Sequence, residues 1–117
     1  MPGKITTHVL DLTAGAPAAG LRIELRRMAP EPALLKTGVT NAEGRMDAPL
    51  LGPDAMAAGT YQVEFHVGAY FASRGVAAAK IAFLDVVPVR FGIADPSASY
   101  HIPLLVTPWA YSTYRGS

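Results

Sequence analysis

The sequence has no cysteine, which removes disulfides, thiolate nucleophiles and cysteine-ligated zinc from consideration. A cysteine-free chain suits a reducing compartment. Excess charge of one sign is also missing, since ten Lys and Arg stand against nine Asp and Glu. That balance gives no electrostatic basis for DNA, RNA or an anionic membrane as partner. No apolar run approaches the ~20 residues that span a bilayer. The first residues, MPGKITTHVLDL, lack the apolar stretch of a signal peptide. The expectation is a cytoplasmic protein with no membrane or nucleic-acid partner.

What is present points to strands. The 117 residues, half of them hydrophobic, fit one domain over 1–117. Runs of β-formers alternate with turn clusters about every ten residues, which predicts an all-β sandwich or barrel. Strands are expected near Lys4–Leu12, Leu21–Met28, Leu34–Thr40, Thr60–Val67, Val86–Ile93, Ser99–Thr107 and Trp109–Arg115, with a short one near Arg45–Ala48. AGAPAAG, NAEG, GPDAMAAG and ADPS read as turns, and the alanine-rich Tyr70–Ala79 is the best helix candidate.

Face patterns say more than strand counts. Leu21, Ile23 and Leu25 alternate with Arg22, Glu24 and Arg26; Tyr61, Val63, Phe65 and Val67 alternate with Gln62, Glu64 and His66. These are half-buried strands. Two others have no polar face. Tyr100, Ile102, Leu104 and Val106 read as core, yet the opposite side carries His101, Pro103, Leu105 and Thr107. In the first strand His8, Leu10 and Leu12 lie opposite Ile5, Thr7 and Val9. An apolar second face needs a cover, and self-association is the expected one. His8 and His101 then share the covered face.

The three histidines, His8, His66 and His101, have no close metal-ligand spacing, so no metal is expected. His66 reads as an ordinary solvated residue. GxSxG, the phosphate loop and the dinucleotide fingerprint are all absent. Taken alone, Arg45 and Arg115 read as solvated arginines.

Longer stretches carry a resemblance. SYHIPLLVTPWAYSTYRGS, Ser99 to Ser117, closely resembles the C-terminal signature of the transthyretin-related 5-hydroxyisourate hydrolases, and ITTHVLDLTAGAPAAGLRIEL, Ile5 to Leu25, resembles their N-terminal block. TNAEGR, GTYQVEF and YFASRG follow in the family's order. The resemblance implies a transthyretin-like β-sandwich of two four-stranded sheets with one short helix. It implies a homotetramer, a dimer of dimers, with sites where the dimers meet. The implied reaction is hydrolysis of 5-hydroxyisourate to 2-oxo-4-hydroxy-4-carboxy-5-ureidoimidazoline, without a cofactor. Carried over residue by residue, His8, Arg45 and His101 become catalytic, and Tyr114, Arg115, Gly116 and Ser117 bind substrate. The sequence departs from the family pattern at Glu43 before Gly44-Arg45, at Ser99 before Tyr100-His101 and at Phe83-Leu84-Asp85. The rival expectation is a non-enzymatic small-ligand carrier, the role transthyretin itself plays on this fold.

Overall fold

The alternation in ITTHVLD is visible in the burial of β1 (Ile5–Asp11): Ile5, Thr7, Val9 and Asp11 are buried, and Thr6, His8 and Leu10 are only half so. The same period recurs in β5 (Gly59–His66), where Tyr61, Val63 and Phe65 are buried. The computed structural model describes residues 3–76 and 80–116. The remaining strands are β2 (Ala16–Pro17), β3 (Arg22–Ala29), β4 (Ala33–Val39), β6 (Val86–Ile93), β7 (Tyr100–Val106) and β8 (Tyr111–Thr113); among the described residues there is one α-helix, α1 (Val67–Ser73), between β5 and β6, and a single 3-10 turn at Pro53–Ala55. They form two four-stranded sheets, ordered β2-β1-β7-β8 and β4-β3-β5-β6.

The core lies between the sheets. Ile5, Val9, Leu21, Ile23, Leu25, Val63, Phe65 and Leu104 are each fully excluded from solvent. Burying one such side chain contributes about 1.5–3 kcal/mol before the entropy of ordering it is set against the gain. Buried polar groups are paired. The Thr7 hydroxyl donates to the Ile102 carbonyl at 2.6 Å. Asp11 accepts from the Tyr70 hydroxyl at 2.8 Å and from the backbone N–H groups of Thr13 and Ala14. Among the described residues no buried side-chain nitrogen or oxygen lacks a partner.

Several expected elements change shape. AGAPAAG is not wholly a turn, because Ala16 and Pro17 pair with Asp11 and Leu10. The helix begins at Val67, directly off β5, instead of at Tyr70. It ends at Ser73, and Gly75, just past the C-cap Arg74, has a φ of 69°, the left-handed conformation that closes helices. Ala77–Ala79, the rest of the expected helix, lie outside the described residues. Arg45–Ala48 is no strand, since only Arg45 makes a β-bridge, to His8. The last strand shortens because Trp109 and Ala110 are spent in a turn, their N–H groups donating to the Thr107 hydroxyl.

His66 points away from the core as expected, but it is not simply solvated. Its Nε2 lies 2.8 Å from Glu24, a carboxylate that also meets Arg22 and Arg26 at 3.6 Å each. This cluster lies on the outer face of β3 and β5.

Candidate active site

β1 and β7 run parallel, and their register pairs Thr6 with His101 and His8 with Pro103. Directly paired residues project to the same face of a sheet. Thr6, His8 and His101 therefore share the outer face of the β2-β1-β7-β8 sheet, on adjacent strands and two register positions apart.

Two further segments complete this row, one on each side. On the β1 side the NAEG turn forms an antiparallel bridge between Arg45 and His8. The Asn41 side-chain oxygen accepts from the N–H groups of Glu43 and Arg45, and the Val9 N–H donates to the Gly44 carbonyl at 2.8 Å. Gly44 has a φ of +75°, and a Cβ there would fall 2.3 Å from the Val9 carbonyl oxygen. Only glycine allows this approach, and the approach sets Arg45 beside His8. On the β7 side Gly116 bridges to His101, its N–H donating to the His101 carbonyl at 2.8 Å. A Cβ on Gly116 would lie 2.5 Å from His101 Cδ2, so the tail backbone rests against the imidazole.

The outer face thus gathers Arg45, His8, His101 and Gly116 from four separate chain segments. Thr6 adds a contact the sequence reading missed: its Oγ1 lies 2.8 Å from His101 Nδ1. Thr6 alternates onto the same face as His8, but its partner becomes visible only with the β1–β7 register. Desolvation holds the His101 imidazole below the usual histidine range, and the positive charges of Arg45 and His8 add to the effect. The neutral imidazole is thereby favoured. Among the described residues no three His, Cys, Asp or Glu side chains are placed to hold a metal.

The tail side chains go elsewhere. The Arg115 guanidinium lies 4.4 Å from the centroid of the Tyr100 ring, which faces the core. Its Nη2 donates to the Ser99 carbonyl at 3.4 Å, a long contact. Tyr114 and Arg115 border a cleft of about 270 Å³ between the sheets, together with Val89, Phe91, Tyr100 and Ile102. The structure does not gather these two side chains with the histidines. Ser117 lies outside the described residues.

This row of histidines and arginine sits on a sandwich that comparison places among known proteins. Residues 5–116 match the HIUase/Transthyretin family. The chain belongs to that family. A 5-hydroxyisourate hydrolase of Rhizobium meliloti is 52% identical over 116 residues, covering 98% of this chain and 97% of the relative. The solved structure of (S)-allantoin synthase superposes with a TM-score of 0.94 at 45% identity; the match takes in 98% of this chain and 44% of that longer one. Sea bream transthyretin in complex with thyroxine superposes with a TM-score of 0.84 at 28% identity, covering 99% and 95% of the two chains. The family thus includes proteins named for hydrolysis and proteins named for ligand carriage, and the site chemistry must separate them.

Proposed function

We propose that this member of the HIUase/Transthyretin family hydrolyses 5-hydroxyisourate, the product of urate oxidation, to 2-oxo-4-hydroxy-4-carboxy-5-ureidoimidazoline. The observation that carries this reading is the convergence of His8, Arg45 and His101 on one sheet face. A carrier for an apolar ligand has no use for two imidazoles and a guanidinium there.

Opening the lactam requires a proton to leave water, a C–O bond to form, charge to rest on the carbonyl oxygen, and a proton to reach the departing ring nitrogen. His101, neutral because it is desolvated, takes the proton from water. Arg45 stays protonated and its fork of donors stabilises the oxyanion. Collapse of the tetrahedral adduct breaks the C–N bond, and His8 supplies the proton to nitrogen. The proton that His101 took from water then passes to His8, which restores both imidazoles, and the new carboxylic acid ionises to solvent.

Tyr114, Arg115, Gly116 and Ser117 are assigned to the substrate-binding wall, with Arg115, stacked on Tyr100, tethering the tail. The reading carries with it the homotetramer and the cytoplasmic setting expected from the sequence. Two features support the tetramer. The outer face bearing His8 and His101 also carries the half-buried Leu10 and Leu105, and β6 and β8 are both terminal strands of their sheets.

The test is His101→Ala, assayed for 5-hydroxyisourate decay. A positioned base accounts for about 10²–10⁴-fold in rate. A loss of kcat/KM smaller than about tenfold would remove His101 from its role.

A further inference from the structure

We infer that Thr6 is a positioning residue for the reaction: it accepts the Nδ1 proton of His101 and so fixes Nε2 as the nitrogen that takes a proton from water. The inference rests on the hydrolase reading for its catalytic consequence, and on geometry for the contact itself.

The geometry is specific. Thr6 and His101 are direct partners across the parallel β1–β7 pair, and Oγ1 lies 2.8 Å from Nδ1, with 95 residues of chain between them. With Nδ1 engaged by Thr6, Nε2 is the ring nitrogen left to meet substrate or water. Gly116 packs beside the Cδ2 edge of the ring, where an added Cβ would lie 2.5 Å away. Among the described residues, Arg45 and His8 are the charged groups that shift His101.

A hydroxyl can either donate to an imidazole nitrogen or accept from it. If Thr6 donated to Nδ1, the proton of neutral His101 would sit on Nε2, which then has no lone pair to act as base. If Nδ1–H donates to Thr6 Oγ1, the Nε2 lone pair is free. Once Nε2 gains its proton, the imidazolium still donates through Nδ1, and a donor with positive charge makes the stronger bond. The Thr6 hydroxyl proton is then free to bond elsewhere, beside the cleft of about 180 Å³ that Thr6 lines with Arg45 and Asp47. Thr6 thus does at His101 what a carboxylate or carbonyl does for many catalytic histidines, without adding a charge that would raise the affinity for the proton.

The experiment compares Thr6→Val, which keeps a β-branched strand residue of similar volume, with Thr6→Ser, which keeps the hydroxyl. Each protein is labelled with ¹⁵N-histidine, and the His101 ring nitrogens are read by NMR alongside the steady-state kinetics. Wild type is expected to show Nδ1 protonated and Nε2 bare. T6V is expected to lose that preference, and its kcat to fall at least about tenfold with KM held within about twofold, since the group lost acts through the base and not on substrate. T6S is expected to restore both signals. A wild-type ring protonated at Nε2, a T6V ring with unchanged tautomer, or a T6V enzyme with unchanged kcat each overturns the inference. If the wild-type protein fails to hasten substrate decay, the hydrolase reading fails instead, and the ring-nitrogen signals still decide whether Thr6 sets the tautomer.

Discussion

Gly116 packs its backbone onto the His101 ring, so closely that a single added methyl group would stand 2.5 Å from Cδ2. The contact joins the second-last residue of the chain to the strand that carries the proposed base. It explains why a glycine occupies a position where the sequence alone shows only a polar tail. For Gly116→Ala the ring must swing aside, breaking its 2.8 Å contact with Thr6. The expected result is a fall in kcat/KM of at least about tenfold with little change in melting temperature. A variant that keeps full activity would detach the tail from the site.

Under the proposed mechanism Arg45 is expected to set the pH profile as well as the rate. His101 already sits below the ordinary histidine value of 6.5 because of desolvation first and the Arg45 charge second. The base form therefore persists below that pH, and the acid limb of kcat/KM should fall there. Replacing Arg45 by Gln removes a positive charge, makes the imidazolium easier to form, and raises the His101 value. The acid limb should move to higher pH. The rate should also drop, by about 10²–10³-fold if Arg45 serves as the oxyanion donor. A pH–rate series on both proteins checks the two effects separately; an acid limb that stays in place would contradict the electrostatic account.

A control lies at the other end of β1. Asp11 is buried and takes the Tyr70 hydroxyl at 2.8 Å, which ties α1 to the sheet carrying the site. Burial and the Asp11 contact both keep the Tyr70 hydroxyl protonated, raising it above the usual tyrosine range. Tyr70→Phe leaves one carboxylate oxygen without its donor, at a cost of about 1–3 kcal/mol. Thermal unfolding should register that loss, while kcat/KM stays within about twofold of wild type, since Tyr70 touches none of the reacting groups. A large loss of activity at unchanged stability would reverse the assignment.

The strands were legible wherever one face is apolar and the other polar. β6 appears over Val86–Ile93, as expected, and β3, β5 and β7 fall within a residue or two of their expected bounds. The doubly apolar faces of β1 and β7 also pointed to the side on which His8 and His101 meet. What alternation could not supply is register. The pairs Thr6–His101 and His101–Gly116 join residues far apart in the chain, and only the parallel β1–β7 pairing and the return of the tail create them. β2 escaped notice because two residues, one of them proline, carry no period. Arg45 was expected on a strand of its own, but a bridge one residue long, fixed by the Asn41 turn, suffices to place it. Arg115 shows the same limit from the other side. Taken alone it reads as solvated, the resemblance implies a substrate contact, and in this structure its side chain lies over Tyr100.

The measurement that bears most directly on the whole account is the decay of freshly generated 5-hydroxyisourate with and without the protein, followed by optical activity of the product. The face formed by His8, Arg45 and His101 should speed the decay far above the spontaneous rate and yield one enantiomer. Equal decay rates, with racemic product, would contradict the hydrolase assignment and leave a fold suited to carriage.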